Sequence, residues 1–323
     1  MGAGRDERGV VAVLVAIMMV VLLGCAAISI DIGANYVVKR QLQNGADAAA
    51  LAVAQESSCN TTTATSTAAT LVEANVNTGS GSGSAVVDPV KRTVTAAASA
   101  VDTDGLPGRR NIFAPVLGIP RTQISASATA GCGSPLAGWV GLPIAFDKCR
   151  FTDAGIGKMI LVSSTTVPAR CDGGHVKAAP GAFGWLRPAT GGCPALISRA
   201  IYGTPGDNGN NIPTVCKASL EAMQNKVVLV PIYDDVGDTG SGTWFHVVGF
   251  AAFTIQGYRF SGNPDYNWQN DTHGSLSCTG NCRGIIGTFS KVVTLESDAT
   301  SGGVWDITTG GADFGVTVVS LLN

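Results

Sequence analysis

Residues Val10 to Ile30 read VVAVLVAIMMVVLLGCAAISI, 21 positions without a charge. A helix rises about 1.5 Å per residue, so the run spans about 31 Å, the thickness of a bilayer's hydrocarbon core. It is the only such run in the 323-residue chain. Everything after it is therefore displayed on one side of a membrane or released there. The reading adopted is an uncleaved anchor. A cleaved leader is the first competitor, but its apolar core is usually about 7–15 residues and ends at a small-residue cut site. A lipoprotein signal is the second, because Leu22-Leu23-Gly24-Cys25 matches a lipobox. Against it, Ala26-Ala27-Ile28-Ser29-Ile30 stays apolar where a polar tether is expected.

Cysteine placement gives the orientation. Arg5 and Arg8 before the run are offset by Asp6 and Glu7, and Asp31, Lys39 and Arg40 follow it, so the positive-inside rule is nearly silent. Cys25 lies in the run, and eight cysteines follow it: Cys59, Cys132, Cys149, Cys171, Cys193, Cys216, Cys278 and Cys282. An even set in a displayed region predicts four disulfides of open connectivity, and so an oxidising space outside the cytoplasm. A zinc site needs close pairs, and only Cys278 and Cys282 are close. The expected topology is a cytoplasmic tail over 1–9, a membrane helix over 10–30 and an extracytoplasmic remainder.

No helix breaker follows Ile30. From Asp31 to Glu56, Val38, Leu42, Ala46, Ala49 and Val53 recur at three- and four-residue steps and share a face. Asn35, Lys39, Gln43, Asn44 and Asp47 fall largely elsewhere, and Gly33 and Gly45 are the weak points. A single rod from about Val10 to Glu56 is predicted. Its outer half is either a stalk or a packing spine, and periodicity does not separate the two.

Beyond the rod, residues 57–130 read as a small α+β unit. Ala64 to Val76 suits a helix, Thr78 to Ser84 a Gly/Ser loop, and Ala85 to Ala98 a strand pair turning near Pro89. Arg109 to Leu117 suits a short helix, and Ile124, Ala126, Ala128 and Ala130 alternate as in a half-buried strand. The Ser/Thr tract after Ser57 reads as solvated surface.

Residues 131–323 hold seven of the nine cysteines and all five tryptophans. Strands are expected at Trp139–Phe146, Met159–Val167, Lys226–Tyr233, Thr243–Tyr258, Gly284–Leu295 and Gly315–Leu321. Helices are expected at Pro194–Ile201 and Thr214–Gln224, and Gly203 to Pro213 is a loop. This part is a mostly β, disulfide-braced ectodomain.

Catalytic chemistry is not visible. His175, His246 and His273 form no metal-spaced pattern. Asp234, Asp235 and Asp238 precede Thr239-Gly240-Ser241, a stretch resembling the aspartic-protease loop, but its place between two strands suits a hairpin turn. Calcium would need about 6–8 oxygens, and only three clustered carboxylates are present. No nucleotide loop or nucleophile elbow occurs in a strand-to-helix context. Trp139, Trp185, Trp244, Trp268 and Trp305 are expected in the core. A net charge of −2 with scattered Lys and Arg argues against nucleic acid. No enzyme, cofactor or metal is predicted.

The N-terminal residues carry a resemblance. Arg8-Gly9-Val10, Asp31-Ile32-Gly33, Tyr36, Arg40, Leu42-Gln43-Asn44 and Ala46-Asp47-Ala48-Ala49-Ala50-Leu51-Ala52 resemble the TadG-like N-terminal segment of bacterial Tad (Flp) pilus-assembly proteins. About 50 residues are covered. VVLVPIYDD from Val227 and HVVGFAAFTIQGY from His246 are similar to ectodomains of actinobacterial members.

Two departures matter. Minor pilins cut by a prepilin peptidase carry a Glu five residues after the cleaved Gly, whereas Val10-Val11-Ala12-Val13-Leu14 follows Gly9 here, so no cut is expected. The D-x-S-x-S metal triplet of members with a von Willebrand factor type A domain is missing, so metal-dependent adhesion is not carried over.

The resemblance implies an α+β protein: a transmembrane helix continuing into a long pilin-like helix, then the two ectodomain parts. It implies a structural or assembly component of a Tad-type pilus or related secretion apparatus. Its partners would be the bilayer and pilus or secretion-apparatus proteins, in unknown stoichiometry. The competing reading is a tethered binding module for a cell-wall or extracellular ligand.

Overall fold

The computed structural model describes residues 8–60, 65–77, 81–135, 137–163, 182–197, 204–206, 212–237, 243–260, 267–269, 276–295 and 311–322. The chain divides into two compact units, Met1–Gly131 with Leu321–Asn323, and Cys132–Ser320.

In the first unit, one helix, α1, runs unbroken from Arg8 to Ser57. At about 1.5 Å per residue it is about 75 Å long. Its two halves differ in what they touch. Val11 to Leu23 leave every large side chain exposed, and the apolar window of the helix has no part buried by the protein. By length and composition this half is long and apolar enough to cross a membrane. From Asp31 onward the expected face turns inward, and Val38, Leu42, Ala46, Ala49 and Val53 are buried, joined by Ala50 and Ala54.

Against this face lie α2 (Thr65–Asn75) and the strands β1 (Gly81–Asp88), β2 (Thr93–Ala100) and β5 (Ser125–Gly133). Between β2 and β5 come the two-residue strands β3 (Arg109–Arg110) and β4 (Arg121–Thr122). β1 pairs antiparallel with β2 from Gly81↔Ala100 to Asp88↔Thr93, and β2 pairs antiparallel with β5 from Thr93↔Gly131 to Ser99↔Ser125. Inward side chains are small, Ala68, Val72, Val94, Ala96, Ala98, Ala126 and Ala130. An Ala-rich interface lets backbones approach closely instead of filling the space with long side chains.

Two expectations fail here for physical reasons. The Gly/Ser stretch read as a loop supplies the first half of β1. A Cβ at Gly83 would lie 2.5 Å from the Ala68 carbonyl oxygen and 2.7–2.8 Å from the Val72 side chain. The glycine is there to let a strand lie on α2, not to make a flexible link. Gly45 plays the same part on α1, where a Cβ would be 3.1 Å from Val72 Cα.

The helix expected over Arg109–Leu117 is also absent. Arg109 and Arg110 pair with Thr122 and Arg121, and only Ala114–Leu117 wind as a 3-10 turn ending at Gly118 with φ 78°. Charge decides this. Arg110 and Arg121 both reach Asp102 and Asp104, with Arg110 Nε 3.4 Å and Arg121 Nη1 3.1 Å from Asp102 Oδ2. Arg110 Nη2 lies 3.2 Å from Asp104 Oδ2, and Arg121 Nη2 closes the cluster on the same oxygen. An extended pair brings the two guanidinium groups to the shared carboxylates.

The second unit is mostly β. In chain order it contains β6 (Gly138–Val140), β7 (Ile144–Asp147), α3 (Lys148–Ala154), β8 (Met159–Ser163), β9 (Phe183–Trp185), β10 (Ala195–Ile197) and β11 (Thr204–Pro205). Then follow α4 (Lys217–Ala222), β12 (Val227–Gly237), β13 (Trp244–Arg259), β14 (Asn267–Gln269), β15 (Gly284–Ser290), β16 (Val292–Leu295) and β17 (Val316–Leu322), whose last two residues count with the first unit. The main sheet has the order β8-β15-β13-β12-β7-β9, with β11 and β14 also on β13. Its pairings are antiparallel except β12 with β7. β16 and β17 run parallel.

The core is aromatic. Phe146, Phe253 and Phe289 meet edge to face at 5.0–6.2 Å, and Trp185 packs on Phe260 at 5.2 Å. Cys193 bonds Cys216, and Cys278 bonds Cys282. Cys59, Cys132 and Cys149 are disulfide-bonded too. Cys171 lies outside the described residues.

Several elements differ from expectation. Gly203 to Pro213, expected as a loop, contributes β11, whose Thr204 and Pro205 pair antiparallel with Phe245 and Trp244. Pro194–Ile201 is not a helix as far as it is described: Ala195–Ile197 pair with β6 as Ala195↔Val140 to Ile197↔Gly138. Two apolar side chains, Ala195 and Ile197, face one side of that strand and are buried, while Leu196 is exposed. Trp139–Phe146 breaks at Leu142-Pro143 into two strands, and Gly284–Leu295 divides at Lys291. The short α3 was not expected. It starts where the Asp147 carboxylate accepts the Cys149 N–H at 2.8 Å, an N-cap that supplies a partner for an otherwise orphaned donor.

Candidate functional site

The residues of the N-terminal motif gather along α1 in two sets with different surroundings. One is a polar seam. Asp31, Asn35, Lys39 and Gln43 follow at four-residue steps, so they stay on one side of the helix. Each touches the segment between Arg109 and Ser127.

Asp31 begins the seam and is only 4% exposed. Its Oδ1 accepts the Ile112 N–H at 2.8 Å, and its Oδ2 accepts those of Phe113 and Ala114 at 2.9 and 2.7 Å. The carboxylate therefore caps the 3-10 turn at Ala114–Leu117 from a different element, 81 to 83 residues earlier in the chain. Desolvation acts to raise its pKa. The hydrogen bonds from Ile112, Ala114 and Phe113, with the Arg109 charge, outweigh it and hold the group below its ordinary value.

Next along the helix, Asn35 accepts from Arg109 Nη1 at 3.0 Å and donates to Asn111 Oδ1 and Thr122 Oγ1, both at 3.4 Å. Asn111 in turn donates to the Ile119 carbonyl at 3.1 Å and to Thr122 Oγ1 at 2.9 Å. Lys39 Nζ donates to the Ser125 carbonyl. Gln43 Nε2 donates to the Ser127 carbonyl at 3.2 Å and to Asp47 Oδ1 at 2.8 Å. The seam fastens the helix to the β3–β4 lobe and then to the edge of β5.

The helical wheel put Asn35, Lys39, Gln43, Asn44 and Asp47 largely off the apolar face; Lys39 and Asn44 are exposed, while Asn35, Gln43 and Asp47 are half-buried. Polarity hid the seam: its side chains pack through hydrogen bonds, and a hydrophobic count does not register that. Their four-residue spacing was the available signal.

The second set lies outside. Arg40 Nε donates to Tyr36 Oη at 3.0 Å, and its guanidinium stands 5.3 Å from the Tyr36 ring centroid. Tyr36, Arg40 and Asn44 are exposed, and so is Gly33, where a Cβ would meet no atom. Ala48 and Leu51 are half-buried, while Leu42, Ala46 and Ala49 are fully buried. Gly9 lies in the first turns of α1. Cys25 is a free, exposed thiol in the apolar half.

Elsewhere, the groups singled out for chemistry scatter. His246 Nδ1 lies 2.6 Å from Asp234 Oδ1 on adjacent strands, a partly exposed pair. β12 and β13 pair antiparallel up to Gly237↔Trp244. Asp238, Thr239, Gly240, Ser241, His175, His273 and Trp305 lie outside the described residues. Among the described residues, no three His, Cys, Asp or Glu side chains stand close enough to hold a metal ion. Trp185 is fully buried, and Trp139, Trp244 and Trp268 are half-buried. Burial pushes the Tyr233 hydroxyl far above its ordinary pKa, a deep core group and not an acid ready to work.

Together these features define a class: a protein whose long N-terminal helix has one apolar, unpacked half, long and apolar enough to cross a membrane, and one half packed into an α+β unit, followed in the chain by a mostly β, disulfide-braced unit. The family comparison is more specific. Residues 9–56 match the family model described as "Putative Flp pilus-assembly TadE/G-like", and these residues are α1 almost from end to end. The chain thus carries a TadE/G-like N-terminal segment. No curated protein and no solved structure matches it.

Proposed function

We propose that this chain is a membrane-anchored, extracytoplasmic assembly component of a Tad (Flp)-type pilus or related secretion apparatus. It acts by holding and presenting a contact surface, with no turnover. The N-terminus lies in the cytoplasm and the two units lie outside.

One observation carries the reading: the family-matched residues 9–56 are a single continuous helix whose outer half is the packing core of the first unit. A passive stalk would not need Leu42, Ala46 and Ala49 buried or Asp31 bonded to three amides. The exposed Tyr36, Arg40 and Asn44 offer a face for a neighbouring helix, beside small residues that permit close approach. The bonded cysteines favour an oxidising space.

The test is deletion of the gene, followed by complementation. Loss of surface pili, restored by the intact chain, is the expected outcome, with pilus components co-purifying from detergent extracts. Normal pili and secretion in the deletion strain would remove the proposal. Saturable binding of the purified chain to isolated cell wall would favour the tethered binding module.

A further inference from the structure

We infer that the 3-10 lobe between Leu106 and Ile119 is a second membrane contact, an apolar loop that dips into the outer face of the bilayer where α1 leaves it. The inference rests on the reading that the Val10–Ile30 run crosses a membrane.

The lobe is apolar outward. Leu106, Ile112, Phe113, Val116, Leu117 and Ile119 are all exposed, Val116 to 90% and Leu117 to 65%. One exposed apolar side chain is ordinary, but six within fourteen residues form a patch that water does not favour. Their backbone is stiff. Pro115 stands in the first turn of the 3-10 segment, Gly118 closes it, and the Asn111 N–H bonds the Pro120 carbonyl at 3.0 Å.

What covers the patch follows from its height along α1. Asp31 is the residue immediately after the apolar run, and its carboxylate binds the amides of Ile112, Phe113 and Ala114. The patch is therefore pinned about one helical residue, or about 1.5 Å, beyond the end of the hydrocarbon-length run. The headgroup zone on each side is about 5–7 Å deep, so the lobe lies within it.

The rest of the unit rises away from that level. Lys39 meets Ser125 and Gln43 meets Ser127, so β5 climbs along the helix. Six residues beyond Ser125, Gly131 pairs with Thr93 beside the β1–β2 turn. That turn, with Val90 also exposed, lies about 20 Å further out by strand rise. Most of the charge at the lobe's rim is already compensated: Arg110 and Arg121 pair with Asp102 and Asp104, and Arg109, which donates to Asn35, interacts with the Asp31 carboxylate. Contact would therefore be driven by apolar insertion.

The test uses the full chain in Cys25→Ser background, reconstituted in phosphatidylcholine/phosphatidylglycerol vesicles. An NBD fluorophore is attached to Val116→Cys, Val90→Cys or Ile17→Cys, and quenching by nitroxide-labelled lipids is measured. The expected pattern is strong quenching at 17 by nitroxides deep in the acyl chains, strong quenching at 116 by nitroxides near the headgroup, and none at 90. Quenching at 17 without quenching at 116 overturns the inference while leaving the anchor intact, and is also the pattern a protein-covered patch would give. Absence of quenching at 17 overturns the anchor reading and this inference with it. Equal quenching at 90 and 116 overturns the pinned geometry.

Discussion

Leu42→Ala separates a packing spine from a stalk because the two readings predict opposite signs. Leu42 is fully buried on the inner face of α1. Removing its three outer carbons loses transfer energy and leaves a cavity, together about 2–5 kcal/mol for a buried Leu. Ala is the better helix former by a few tenths of a kcal/mol, so the substitution on a solvated stalk would be neutral or slightly stabilising. At about 3 kcal/mol, the equilibrium for opening the first unit shifts about a hundredfold. Hydrogen exchange read by mass spectrometry on the full chain in lipid nanodiscs reports that equilibrium locally. The strands β2 and β5, which do not contain the substitution, should exchange about a hundredfold faster, while β13 in the second unit should not change. Unaltered or slower exchange in β2 and β5 would refute the packing argument.

Four further outcomes follow from the same geometry. Gly83→Ala should destabilise the first unit by about 1–3 kcal/mol, because its methyl meets the Ala68 carbonyl at 2.5 Å; a thermal melt unchanged from the parent would restore the flexible-loop reading. Asp31→Asn should deprotect the amides of Ile112, Phe113 and Ala114 selectively, and equal protection in variant and parent would show that the cap is unimportant. The folded Asp31 pKa is lowered, so its contribution is complete above the ordinary value of 3.8 and fades as the pH falls through the lower folded value. An acid titration should accordingly loosen the 109–122 lobe only below about pH 4, and loosening that began near neutrality would contradict it. Opening the Cys193–Cys216 bridge with paired serines should cost the second unit about 2–4 kcal/mol in denaturant titration.

How much of this was legible depended on what kind of force made each element. The apolar run and the Val38, Leu42, Ala46, Ala49, Val53 face were readable because hydrophobic spacing reports burial directly. β5 was readable from strict alternation. The Gly81–Ser84 strand was not, since its glycines serve a close approach to α2 that exists only in three dimensions. The extended Arg109–Arg110 pair was hidden because partners near Asp102 and Asp104 overrule local helix preference. The seam from Asp31 to Gln43 was visible as a list of motif residues but not as a joint. Its acceptors, Ser125 and Ser127 carbonyls among them, are backbone atoms whose positions no side-chain pattern announces.

The central claim is that the outer face of α1 meets other pilus-apparatus proteins while the inner face holds the ectodomain. Photo-cross-linking in intact membranes tests it most directly, with a photoreactive amino acid replacing Tyr36 or Asn44, both exposed, and mass spectrometry of the products. The account predicts adducts with Tad-type pilus or secretion components at these two positions. Adducts with lipid or cell wall alone, in cells that are assembling pili, would contradict it.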